Sequence, residues 1–423
     1  MSLYNRLSRN KDGKTLIANF GYLTLLQFAG YIFPLITIPY LARTIGTTGF
    51  GKIFFASAVI TWFMSVITWG LDFTATRDVS RNRLDKGEVS RIFSNVIWAR
   101  ILLLICCFAF LLLLILFIPK FRENSEVLLI TFLLLPGHIL FPEWLFQSLE
   151  KMKYITILSL LSKALFTVLV FVFVKKEEDY LLQPLFSSLG YIVSGIIAMY
   201  IIIAKWNIKI QRPSKNGIMQ TLGGSFDVFL NNILPNLYNS LSTVFVGVFS
   251  GDVANGMLSA ATKWITVTHQ LFLSLSRTFF PFLARRIDKH PLYARINIYS
   301  SLFFSLLLFL FAPIIIHIFY TDDFYDAIPV LRVLSWSIFF MALSNTYGTN
   351  YLILIGEEKK LRTITMVISI IGLCMAVPLI YFYGYMGAAV TLVITRALLG
   401  SIIALVASRE SSSLQNQTEE IVL

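Results

Sequence analysis

Apolar windows of about 20 residues, each long enough to cross a bilayer as a helix, follow one another along this chain of 423 residues. The links between them are too short to hold a folded soluble domain. Twelve windows can be placed, at roughly 15–43, 50–72, 92–119, 127–148, 153–174, 181–204, 220–249, 254–283, 296–319, 327–355, 363–383 and 386–407. A chain in lipid must satisfy its backbone N–H and C=O groups internally, which leaves helices or closed barrels, and windows of this length fit helices. The expected fold is an all-α polytopic membrane protein. Composition agrees: 57% of residues are hydrophobic, 14% are charged, and the mean hydropathy is +0.74, against about 25% charged residues in soluble domains.

The net charge of +12 in a soluble protein would point to nucleic acid. Here the charges sit in the links, where they act as topology signals and surface contacts, and no nucleic-acid partner is expected. With the N-terminus inside, 23 of the 35 Lys and Arg fall on the cytoplasmic side. Six fall outside (Arg43, Lys52, Lys120, Arg122, Lys175 and Lys176) and six within apolar runs. This asymmetry places both termini in the cytoplasm. The first run is too long and too polar for a signal-peptide core, so it is expected to be retained. The tail after Ser408 is polar and expected to be mobile. Cys106, Cys107 and Cys374 lie in apolar runs and read as small buried hydrophobes, not as a disulfide or metal framework.

A weak internal repeat divides the chain. Gly46 to Gly51 and Gly251 to Gly256 are both Gly-x4-Gly, each leading into a small-residue helix; Arg91-Ile92 recurs as Arg295-Ile296, and Glu150-Lys151 as Glu358-Lys359. Offsets near 205 imply two six-helix lobes, and six being even, the lobes form a parallel repeat about the membrane normal. The expected divisions are a cytoplasmic segment 1–14, an N-lobe 15–204, a basic linker 205–219, a C-lobe 220–407 and a tail 408–423. Gly46, Gly51, Gly251 and Gly256 are candidate hinges; simple turn glycines read equally well.

Two helices carry unusual polarity. The first holds Asn19, Gln27, Thr37, Pro34 and Pro39; the seventh holds Asp227, Asn231, Asn232, Pro235, Asn236, Tyr238, Asn239, Ser242 and Thr243. Such side chains line a cavity or bond helices together. Amides and a phenol offer both donors and acceptors, as sugar hydroxyls require. Six cations fall in apolar runs: Arg100 and Arg332 near helix ends, where snorkelling is expected, and Lys163, Lys263, Arg277 and Arg396 deeper. The acids at comparable depth, Asp72, Glu143 and Asp227, are fewer. Spare positive charge suits an anionic substrate, with phosphate the natural candidate. The sequence contains no P-loop, zinc spacing or nucleotide-binding glycine loop, and no cofactor is expected. His138, His269, His290 and His317 are scattered, and structural roles are expected for them. Without an ATPase site, any transport would have to be downhill or coupled to an ion gradient or the membrane potential.

Three stretches carry a resemblance. They are Pro34-Leu-Ile-Thr-Ile-Pro-Tyr-Leu-Ala-Arg43 with Gly46 and Phe50-Gly51, then Gly70-Leu-Asp-Phe-Thr-Ala-Thr-Arg-Asp-Val-Ser80, then Pro142-Glu-Trp-Leu-Phe-Gln-Ser-Leu-Glu-Lys-Met152. With them the chain resembles the O-antigen and capsule flippases of the polysaccharide transporter family, in the multidrug/oligosaccharidyl-lipid/polysaccharide exporter superfamily. It departs from the family at Asp72, where Asn is frequent, and at Ser148, where Gly is. The resemblance implies a V-shaped alternating-access exporter of the bacterial cytoplasmic (inner) membrane. Its substrate would be a polyprenyl-pyrophosphate-linked oligosaccharide, moved from inner to outer leaflet through a cationic cavity. Arg277, Lys263, Lys163 and Arg396 would attract the pyrophosphate, while Gln27 and the helix-seven amides would meet sugars. Arg77 and Asp78 would form an inner gate, and Asp72, Glu143 and Asp227 would couple transport to H+ or Na+. Membrane lipids, a polysaccharide polymerase and chain-length machinery are the implied partners. The alternative is an ion-coupled multidrug exporter of the same superfamily, which would favour an acidic cavity. A polymerase or membrane glycosyltransferase would need a sizeable outer loop or soluble domain.

Overall fold

A computed structural model describes the backbone of residues 11–422; side chains are described for 19–410, except 20, 23, 31, 227, 231–232, 234–238, 277–278, 281–282 and 284–285. Among the described residues the regular structure is helical, without strands. Apart from single-turn pieces, the helices are α1 (Lys11–Thr68), α2 (Leu71–Arg81), α3 (Lys86–Phe117), α4 (Ser125–Phe132), α5 (Leu134–Leu140), α6 (Glu143–Ser148), α7 (Met152–Phe173), α8 (Leu182–Tyr200), α9 (Lys215–Gly224), α10 (Phe226–Arg285), α11 (His290–Phe319), α12 (Ala327–Ser344) and α13 (Glu358–Val422). A wider π-helical turn, Asn345–Leu352, continues α12.

Among the described residues, nine helical stretches are long and apolar enough to cross a membrane. Three of the long helices contain a break. α1 has 58 residues, α10 has 60 and α13 has 65. At 1.5 Å per residue each is about 90 Å long, some three times the thickness of a hydrocarbon core. Each is interrupted at a glycine: Gly46 (φ 64°, ψ −177°), Gly251 (φ 87°, ψ −176°) and Gly384 (φ 56°, ψ −136°). Gly46 and Gly251 adopt the same conformation, in a region of backbone space open essentially to glycine alone. The expected window boundaries fall at all three positions.

Several boundaries differ from expectation. The seventh window begins at Phe226, not 220, because Ser225 (φ −107°, ψ 0°) leaves the helical path and Lys215–Gly224 forms its own helix. α11 starts at His290, six residues before the expected 296, with Pro291 in its first turn, where a proline's missing N–H costs nothing. The fourth window is three short helices around Pro136 and Pro142. At the other end of the chain, α13 runs on to Val422, where a mobile tail was expected. No Gly or Pro interrupts residues 401–422, and Lys360 holds Glu410 at 2.7 Å.

The chain divides into two compact units. One comprises the residues up to Gly49 with Ala56–Ile233; the other comprises Phe50–Phe55 with Leu234–Leu423. In the first, α5, α7 and α8 meet through small residues. A Cβ on Gly190 would lie 2.7 Å from the Ser162 carbonyl oxygen, and Ser194 donates to the Leu158 carbonyl at 2.8 Å. This is the close approach by which membrane helices gain dispersion contact without a hydrophobic drive. In the second, Gly51 lies directly against the Asp252 carbonyl, with no room for a Cβ. That contact explains why Phe50–Phe55 packs with the second unit.

Cysteine placement corrects the sequence reading. Cys107 is buried, whereas Cys106 and Cys374 are exposed. They lie on apolar helices, whose outer faces meet lipid.

Candidate functional site

In the first unit the deep charges converge. Asp72 stands in the first turn of α2, and Arg100 of α3 reaches it at 2.6 Å. Arg100 is 2% exposed and Asp72 41%. The expectation that Arg100 snorkels is therefore wrong. Its position on the buried face of α3 closes the path to water, and a carboxylate on α2 neutralises it instead. The pair also gives a role to the acid that departs from the resembled family.

Around this pair stand His138 on α5 and Glu143 at the start of α6. His138 is close enough to feel both charges, and Glu143 lies within electrostatic reach of Asp72 and Lys163. The His138 ring stacks on Tyr191 of α8 with centroids 5.8 Å apart. Ser159 of α7 donates to Glu143 Oε1 at 3.5 Å. Lys163, also on α7, extends towards α1, its Nζ lying 3.8 Å from where a Cβ on Gly30 would be. An alanine there would meet the ammonium in ordinary van der Waals contact. Asp72, Glu143 and Lys163 of the expected site are thus brought together, with Arg100 and His138 added to them. No sequence spacing ties His138, for which a structural role is expected, to Arg100.

The polar residues of α1 divide by role. Asn19 donates to the Glu150 carbonyl at 3.1 Å and Thr37 to its own helix at Phe33, 2.9 Å. Asn19 thus bonds across to another segment, as the packing reading holds, whereas Thr37 bonds only within α1. Gln27 makes no side-chain hydrogen bond among the described residues.

In the second unit Arg396 of α13, 9% exposed, donates to Asn239 Oδ1 on α10 at 3.1 Å. His269 of α10 is close enough to feel the Arg396 charge. Lys263 is exposed and forms no ion pair among the described residues. The side chains of Asp227, Asn231 and Asn232 of the first unit, and of Asn236, Tyr238 and Arg277 of the second, lie outside the described residues. Arg332 is exposed, its guanidinium 5.6 Å from the Phe309 ring centroid.

The expected gate residues Arg77 and Asp78 pair with each other at 2.8 Å and are substantially exposed. They line a pocket of about 200 Å³ in the first unit with Arg91, Asn95, Gln220 and Ser225. Just before α2, Trp69 adopts an uncommon backbone conformation (φ 45°). It stacks on Phe229 with centroids 3.9 Å apart and donates its indole N–H to the Leu222 carbonyl at 3.0 Å. These contacts over-determine the strained turn before α2.

The fold defines a class: a polytopic, all-helical membrane protein. It superposes on the lipid II flippase MurJ in an inward closed conformation with a TM-score of 0.73, at 15% identity, covering 91% of this chain and 87% of that one. An inward-facing multidrug-resistance transporter of the MATE family in the MOP superfamily gives 0.64, also at 15% identity, covering 90% and 98%. The model of the polysaccharide biosynthesis protein family matches residues 16–287, and the chain belongs to that family. A protein of Escherichia coli (strain K12), provisionally named an O-antigen transporter, is 28% identical over 401 residues, spanning 93% of this chain and 97% of the relative. A Shigella dysenteriae protein of the same provisional name is 25% identical over 384 residues, spanning 89% and 96%.

Proposed function

We propose that this protein is a flippase that moves a polyprenyl-pyrophosphate-linked oligosaccharide from the inner to the outer leaflet of the bacterial cytoplasmic membrane. The observation that carries the reading is membership of the polysaccharide biosynthesis family along nearly two-thirds of the chain, on an exporter fold. The full-length likeness to proteins provisionally named O-antigen transporters supports the substrate class. In this reading the three glycine breaks are span boundaries, giving twelve spans with both termini cytoplasmic. Arg396, Lys263, Lys163 and Arg277 supply positive potential for the pyrophosphate. Asn239 and its helix-seven neighbours, with Gln27, meet the sugars, and Arg77 with Asp78 stands at the inner entrance. Asp72, Glu143 and Asp227 are the coupling candidates for H+ or Na+. Among them Glu143 is best supported, since Arg100 already neutralises Asp72. A polysaccharide polymerase and its chain-length machinery would receive the product.

The test is the leaflet in which lipid-linked oligosaccharide collects when the protein is absent. Lectin access is compared in spheroplasts and inverted vesicles. Retention on the cytoplasmic leaflet is expected, relieved by the intact protein and at least tenfold less by Arg396→Ala. Loss of a guanidinium–phosphate contact of about 1.5–3 kcal/mol sets that factor. Normal outer-leaflet display, with no second flippase in the strain, would turn the assignment to a multidrug-type exporter.

A further inference from the structure

We propose that the second unit holds a binding site for the phosphodiester headgroup of an anionic phospholipid, in a cavity separate from the residues assigned to transport. The cavity has a volume of about 520 Å³ and is lined by His290, Arg295, Tyr299, Tyr347, Tyr351 and Ser408, together with apolar positions. This lies within the range of small-molecule sites, about 300–1,000 Å³. Among the described residues no carboxylate lines it. Arg295 is exposed and forms neither an ion pair nor a side-chain hydrogen bond among the described residues. An unpaired guanidinium with phenols beside it matches a phosphate, since the planar fork meets two oxygens at once.

The far wall is preformed. His290 Nε2 lies 3.0 Å from the Thr346 carbonyl oxygen, and its ring packs on Tyr351 at 4.8 Å and Tyr347 at 5.6 Å. Behind it Asn297 donates to Thr346 Oγ1 at 2.7 Å, and Asn350 to the Tyr293 hydroxyl at 2.7 Å. The π-helical turn Asn345–Leu352 is thereby held in place, with Tyr347 and Tyr351 facing the cavity.

Position and surroundings favour a lipid over free phosphate. The cavity lies where α11 begins, where the π-helical turn after α12 ends, and where the last apolar window closes at Ala407. All three are at one membrane face, the one to which the Lys and Arg count assigns the cytoplasm. From its mouth an exposed stripe runs along α11 through Leu292, Ile296, Tyr299 and Phe303, at intervals of four, three and four residues. Those intervals lie on one helical face, and Tyr299, 66% exposed, belongs to both cavity and stripe. A headgroup on Arg295 leaves its acyl chains along this stripe; inorganic phosphate leaves it empty. Basic pockets between membrane helices on the cytoplasmic side recognise headgroups in this way. The inference does not depend on the transport reading.

The test uses the full-length protein in detergent, delipidated and titrated with phosphatidylglycerol, phosphatidylcholine or sodium phosphate, with bound lipid counted by native mass spectrometry. Wild type is expected to prefer phosphatidylglycerol. Arg295→Gln is expected to weaken phosphatidylglycerol binding about fivefold, the value of one basic residue near the surface, with phosphatidylcholine binding unchanged. Arg332→Gln, near the opposite end of α12, is expected to bind as wild type. Equal phosphatidylglycerol binding by Arg295→Gln and wild type would overturn the site. An equal loss in Arg332→Gln would reduce it to general surface attraction, and displacement by millimolar phosphate would assign it to the free anion.

Discussion

A guanidinium sealed on an apolar helix is tolerated only while its counter-charge is closer than water. Arg100 meets that condition through Asp72 at 2.6 Å, although its own Nε finds no hydrogen-bond partner among the described residues. The pair is therefore asymmetric, with the cation committed and the acid half open. Asp72→Asn keeps the shape and removes the charge, leaving Arg100 uncompensated. Breaking a buried pair costs about 3–5 kcal/mol; with Asp72 partly solvated, about 1–3 kcal/mol is expected. The check is thermal unfolding in detergent. Asp72→Asn should melt well below wild type, and the double variant with Arg100→Gln should recover part of the loss, because the stranded charge is then gone. An unchanged midpoint in Asp72→Asn would show that Arg100 draws its compensation elsewhere.

Gly46 and Gly251 turn a sequence echo into matching geometry: 205 residues apart, they share one glycine-only conformation. Alanine at either position is expected to cost about 1–3 kcal/mol through backbone strain, and the two losses should be alike. Thermal unfolding of Gly46→Ala and Gly251→Ala, each beside Gly21→Ala as a mid-helix control with open space around it, measures this. Equal stability of all three would mean that neither break is enforced. The helices themselves were legible because windows of lipid length leave few alternatives, and the breaks because glycines fall between windows. The start of α10 was not, since Gly223, Gly224 and Ser225 lie inside an apolar stretch that hides the turn. Nor were the pairings: Asp72 and Arg100 are 28 residues apart, and Arg396 and Asn239, each singled out separately, are 157 apart. Side chains meet across helices by packing angle, which hydropathy does not encode.

At the scale of the whole molecule, the glycine breaks decide the side on which the chain ends. Nine uninterrupted crossings, an odd number, would leave the termini on opposite faces. If each of the three broken helices crosses twice, the number becomes even and the termini share a face. The helix lengths favour the second case, because about 90 Å of helix cannot lie within about 30 Å of hydrocarbon. The Lys and Arg asymmetry would then select the cytoplasm for both. The expectation is checked in a background with Cys106, Cys107 and Cys374 replaced by alanine, carrying Asn5→Cys or Gln415→Cys. A membrane-impermeant maleimide should label neither site in intact spheroplasts and both in inverted vesicles. Lys175→Cys, in a link counted as outer, should show the reverse pattern. Labelling of one terminus but not the other in spheroplasts would mean that at least one glycine break is a kink within the membrane and not a boundary. The division into two six-helix lobes read from the repeat would then fail with it, since one lobe would hold an odd number of crossings.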